Sequence, residues 1–151
     1  MGDKQKVLQD AAEAYAELRE AVVGLDEARI RTVWLGIWGV KEILIHISAW
    51  DREIAPAFAR IDRGEPAYPA GAYDDFDAWN ARFVEAGKNA QSAEILADLE
   101  VSHRGLVAAA GALGAEHFAT GAAARELLDA TGAQHYREHA AQIREWRNGT
   151  Q

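Results

Sequence analysis

The 151-residue sequence has no cysteine, three prolines, one methionine, and only 16 lysines and arginines against 24 aspartates and glutamates. Without cysteine the chain makes no disulfide, no thiolate zinc site and no thiol nucleophile of its own. Thiol chemistry here therefore requires a small-molecule thiol. The net charge of −8 has the wrong sign for a phosphate-binding surface, and no Lys/Arg cluster reverses it locally, so nucleic acid is not an expected partner. No apolar run approaches the ~18 residues of a membrane span. The opening stretch, MGDKQKVLQDAAEAYAELRE, is charged and amphipathic from its start and lacks the apolar segment of a secretory signal. The expected location is cytoplasmic, with no membrane partner. A chain of this length fits a single domain, residues 1–151, able to bury roughly two thirds of its unfolded surface.

What is present is helical periodicity. Val7, Leu8, Ala11, Tyr15, Leu18 and Val22 share one face, which predicts a helix from about residue 4 to 23, ending near Gly24. Residues 25–37 form a connector whose Leu25, Val33, Trp34, Leu35 and Ile37 are expected to pack on the bundle end. A second helix is expected from about Val40 to Arg60, burying Ile43, His46, Ile47, Trp50, Ile54 and, just beyond it, Ile61, with Pro56 as a candidate bend. RGEPAYPAGAYDD then reads as a long crossing loop. Asp75 or Asp77 is placed to cap a short helix through about Glu85, and Ser92 to cap a third long helix through about Leu113. After the turn GALGAEHFATG, a last helix from about Ala123 to Arg147 buries Leu128, Gly132, His135, His139, Ile143 and Trp146. No strand-like alternation of useful length and no internal repeat occur. The expected fold is all-α, a four-helix bundle with a long crossing loop and an extra short helix between helices 2 and 3.

Three histidines stand out. Four helical residues advance ~6 Å along the axis and ~40° around it, so the imidazoles of His135 and His139 leave the same face. His46 lies in the apolar run VKEILIHISAW, where an uncompensated polar ring costs on the order of 1–3 kcal/mol. A lone histidine on an apolar face is ordinarily a satisfied core residue. Three on facing seams form a candidate metal site, because neutral imidazole suits Zn²⁺, Ni²⁺, Fe²⁺ or Cu²⁺, and three protein nitrogens plus an open position is a common catalytic arrangement for zinc.

Two sharper motifs fail. HYREH fits the H-x-x-E-H pattern of inverted zincins, but only twelve residues follow His139, too few to complete such a site. Di-iron bundles need two Glu-x-x-His pairs, and Glu100 with His103 is the only one. His103 and His117 have no histidine in register and are expected to face solvent, as is Glu138. Trp38 and Trp50 suit packing anchors, although Trp50 lies one turn from His46 and is placed to wall a pocket. Thr131 and Gln142 fall on the His135/His139 face and are candidates to orient a ring or a bound water.

WGVKEILIHISAWDRE (residues 38–53) and LLDATGAQHYREHAAQIREW (residues 127–146) together resemble the second-helix motif and C-terminal helix of the DinB-like superfamily of metal-binding four-helix bundles. That superfamily includes YfiT-like proteins and thiol-dependent S-transferases such as mycothiol-dependent maleylpyruvate isomerase. The resemblance extends over the chain in length and helix order, and residues 64–120 match it loosely. It implies metal ligands at His46, His135 and His139. Members differ in whether they transfer thiols, isomerise or hydrolyse.

Residues and resemblance together point to a metal-dependent enzyme. A divalent ion, zinc or nickel, acidifies a small thiol (S-transferase type) or water (hydrolase type) for attack on a small electrophilic substrate. The alternative is a non-catalytic stress or resistance protein sequestering a small molecule in the bundle. A structural ion tying two helices together is a third reading, for which no fourth ligand is evident. A monomer or homodimer is expected.

Overall fold

The structure, a computed structural model, describes residues 2–149; Met1, Thr150 and Gln151 of the expected 1–151 domain lie outside it. Four long helical rods form a bundle: α1 (Asp3–Val22), α3 (Val40–Asp62), α5 (Ser92–Gly111) and a final rod made of α6 (Ala123–Leu128), a π-helical segment (Asp129–Gln134) and α7 (His135–Gly149). The first helix buries Val7, Ala11, Tyr15, Leu18 and Val22, the face its periodicity predicts. α3 is the central rod. Its buried residues run almost without interruption from Val40 to Asp51, so it faces protein on every side rather than along one stripe. Pro56 stands inside α3 without ending it, because only one backbone donor is lost there.

The crossing loop ends in α4 (Phe76–Gly87), capped by Asp75, whose Oδ1 accepts the Ala78 N–H at 3.1 Å. Ser92 begins α5 but does not cap it, since Gln91 holds the cap position and makes no side-chain bond there. The last rod is not one continuous helix as expected. The Asp129–Gln134 segment adopts wider i→i+5 turns, a form that recurs at functional sites.

The connector also differs from expectation. It contains a one-turn helix, α2 (Glu27–Arg31), and a two-stranded antiparallel ribbon of β1 (Val33–Leu35) and β2 (Trp38–Gly39). The ribbon is too short for alternation to show in sequence. Gly36 turns it with φ 62°, a conformation glycine adopts without steric cost. Stacking of Trp34 on Trp146, with ring centroids 5.0 Å apart, fastens the ribbon to α7. At its end Gly39 presses against the chain so closely that a Cβ would lie 2.0 Å from the Thr32 carbonyl oxygen.

Two apolar clusters fill the bundle, one including Leu18, Ile43, Leu99 and Ile143, the other including Val7, Phe58, Leu106 and Leu128. Between them lies a layer of buried polar groups. Tyr136, fully buried on α7, donates to Asp51 Oδ2 on α3 at 2.7 Å. Its hydroxyl in turn accepts from His103 Nδ1 on α5 at 3.1 Å, because the phenolic proton is already committed. The His103 ring stacks on Tyr15 at 3.9 Å and 6°, and Tyr15 donates to Glu100 Oε2 at 2.5 Å. His103 is thus buried rather than solvent-facing as expected. His117 is partly covered and lies 3.5 Å from Asp62, whereas Glu138 is exposed, as expected. Burial lowers the His103 pKa to about 4 and raises that of Asp51 to about 8.

Two outcomes are expected. Gly39→Ala drives a methyl group into the Thr32 carbonyl and should cost about 1–3 kcal/mol, read as a lower urea midpoint. For pH, His103 carries a folded-state pKa below its unfolded value of 6.5, so the unfolded chain binds more protons between the two. That contribution is full above pH 6.5 and is lost as pH falls towards 4. The stability lost between pH 7 and 4.5 should shrink in His103→Phe, while the other buried imidazoles maintain part of the slope; an unchanged slope would refute a buried neutral His103.

Candidate metal centre

The three seam histidines converge where α3 meets α7. His46 is 3 % exposed, and His135 and His139 are half-buried on consecutive turns of α7. The core-facing line of α7 is Tyr136, Ala140 and Ile143. The histidines stand one residue before Tyr136 and Ala140 and so flank the core instead of filling it. Ring centroids are 5.0 Å apart for His46–His135 and 4.8 Å for each of the other two pairs. Ligand-capable nitrogens of all three lie within 4.8 Å of one another.

The closest approach joins His46 Nε2 and His135 Nε2 at 3.2 Å. Two nitrogens bonded to a tetrahedral zinc at 2.0–2.1 Å stand about 3.3 Å apart, so this pair has ligand spacing, and the His139 donor lies within 4.8 Å of both. For His46 and His139 the other ring nitrogen fixes the tautomer. His46 Nδ1 lies 2.6 Å from the Ile43 carbonyl, which only accepts, so the proton sits on Nδ1 and Nε2 presents a lone pair. His139 Nδ1 is 2.7 Å from Gln142 Oε1, which likewise leaves Nε2 free. Such outer contacts set ring orientation in metal sites. Burial lowers the pKa of all three imidazoles, His46 to about 3 with a contribution from His139, so they are neutral and able to coordinate at neutral pH. The donor set therefore fits a divalent transition metal.

Beside the cluster is a cavity of about 320 Å³ that His46 and His135 line and His139 does not. Trp50 and Thr131 line it, and Gln142 does not; Gln142 bears on the site through His139. Trp38, in β2, sits over His46 with its ring centroid 4.7 Å away. Trp50 serves both roles open to it, packing in the second apolar cluster while its Nε1 donates to Asn80 Oδ1 at 2.7 Å. Asn80 and Phe76 come from α4, and Tyr68, Tyr73 and Asp74 from the crossing loop. These residues escaped the sequence reasoning, whose only available signal was the clustering of aromatics within residues 68–83.

No protein-family model matches the sequence, and no curated protein matches it. Among solved structures the chain is similar to one titled "Sibling Lethal Factor Precursor - DfsB", with a TM-score of 0.79 and 14 % identity, over 98 % of this chain and 96 % of that one. At that identity the likeness establishes a common fold. The chain is thus an all-α bundle that carries a cluster of three histidines able to hold a metal ion.

Proposed function

We propose that the chain is a metal-dependent enzyme of the DinB-like type, in which His46, His135 and His139 hold one divalent transition metal, zinc or nickel. When bound, such an ion lowers the pKa of a small thiol or of water and so supplies a nucleophile for a small electrophilic substrate. The observation that carries this reading is the 3.2 Å Nε2 pair at the floor of a cavity large enough for a small molecule. The Ile43 carbonyl and Gln142 hold the rings of His46 and His139 in the coordinating tautomer. Thr131 lies beside His135 on the cavity wall, where its hydroxyl can orient a ligand. The proposed setting is the cytoplasm of the cell, acting as monomer or homodimer on a small molecule rather than on nucleic acid or membrane.

One observation favours the second reading, a non-catalytic stress or resistance protein that sequesters its ligand. Apart from the histidines, Asp74 is the sole titratable acid or base among the described cavity-lining residues other than tyrosine, so a general base is scarce. Turnover distinguishes the two.

Elemental analysis of the purified protein should find about one transition metal per chain. His135→Ala or His139→Ala should lower that content strongly, and full metal content in the His46→Ala, His139→Ala double variant would end the proposal. Far-UV circular dichroism should stay helical after chelation, because the two apolar clusters do not depend on the ion, while the melting temperature falls. Turnover, sought with a panel of small thiols and hydrolysable electrophiles, should vanish in each single His→Ala variant. Gln142→Ala should reduce metal affinity by about 10–100-fold without abolishing it. Stoichiometric protection from an electrophile, without turnover and insensitive to chelation, would favour sequestration.

A further inference from the structure

The cavity over the triad has a chemically distinct outer part. Trp50, Tyr68, Tyr73 and Phe76 form its walls, and adjoining rings meet at steep angles: Trp50 and Tyr73 at 77° with centroids 5.3 Å apart, Tyr68 and Tyr73 at 70° and 4.9 Å. Two of these rings have their polar tips tied elsewhere. Trp50 Nε1 donates to Asn80 Oδ1, and the Tyr73 hydroxyl donates to Glu53 Oε1 at 2.9 Å. They offer the cavity ring surface more than hydrogen-bonding groups.

The charge distribution is one-sided. Asp74 is the only carboxylate among the described lining residues, and no lysine or arginine is among them. The nearby Arg60 is engaged with the Ala67 carbonyl at 2.6 Å. An organic carboxylate held in this outer part, away from an ion at the triad, would meet a like charge and find no lysine or arginine to replace its hydration. An ammonium group would meet ring faces, which attract cations through their quadrupoles, and the Asp74 carboxylate. The chain's net charge of −8 adds to the same preference at longer range.

We propose that this outer part recognises an organic ammonium group, so that the molecule brought to the triad is a cationic amine or quaternary ammonium compound and not an organic acid. The proposal rests on the metal-centre reading only for what happens at the inner end of the cavity.

Three probes that share a phenyl ring and differ in the charge and size of the head group test it: benzyltrimethylammonium, benzyl alcohol and benzoate, titrated by calorimetry against the full chain with and without zinc. In the metal-free protein, where no ion can ligate a carboxylate, the ammonium probe should bind about tenfold more tightly than the alcohol, equivalent to about 1.4 kcal/mol, and benzoate should bind most weakly. Asp74→Asn and Tyr68→Leu, both at exposed positions, should each weaken the ammonium probe several-fold while leaving the alcohol nearly unchanged. Equal or tighter binding of benzoate by the metal-free protein, no saturable binding of the ammonium probe by the folded protein, or ammonium affinity indifferent to both substitutions would each overturn the proposal. Metal content measured on the same samples separates the two claims: protein that takes up no zinc but ranks the probes as expected refutes the metal centre alone, and protein that takes up zinc but shows the reverse ranking in its metal-free form refutes this inference alone.

Discussion

The polar side chains in the first half of α3 are cut off from solvent, because from Val40 to Asp51 the helix is covered on almost every side. Lys41 reaches the Lys88 carbonyl, Trp50 the side chain of Asn80, and Asp51 the hydroxyl of Tyr136. His46 uses its inner nitrogen on the Ile43 carbonyl and turns the other towards His135. Since an unpaired buried polar group costs about 1–3 kcal/mol, these contacts help fix how α4 and α7 sit against α3. The histidine cluster is thus one of several solutions to a single desolvation problem. Ser48 Oγ and Asp51 Oδ1 lack a direct partner among the described residues, which makes this layer the natural place for internal water.

The two sides of the candidate site have different origins. Its floor comes from α3 and α7, regular helices whose positions the packed core determines. Its roof comes from α4 and the crossing loop, where no α4 residue is fully buried and contact with α3 is largely aromatic, through Trp50, Trp79 and Phe83. Binding groups on such segments are held by fewer apolar contacts than those on the rods, the usual division between a rigid scaffold and a variable recognition surface.

This division also governs what the sequence made legible. His135 and His139 are visible because spacing of four on an amphipathic helix fixes a common face, and His46 because an imidazole in an apolar run demands a partner. Leu99, His103, Leu106 and Ala110 likewise put His103 on the seam of α5. A search confined to second histidines misses it, since its partners are Tyr15 and Tyr136 on other helices. The roof residues have no period to betray them: Tyr68 and Tyr73 lie in a loop whose path depends on tertiary contacts. Nor does composition announce the wide turns at Asp129–Gln134, because π geometry has no strong residue signature.

Those wide turns separate two parts of the protein that would otherwise change together. An i→i+5 turn accommodates one residue more than an α-turn while the helix on either side keeps its phase, so Leu128 stays in the core and His135 stays opposite His46. The surplus backbone is taken up beside Ala130 and Thr131, which face the cavity. A chain one residue shorter here can close into plain α-helix with both flanking faces retained, altering the cavity wall and leaving the imidazoles in place. Geometry of this kind lets a bundle diversify the shape of its ligand chamber without disturbing the nitrogen donors beneath it.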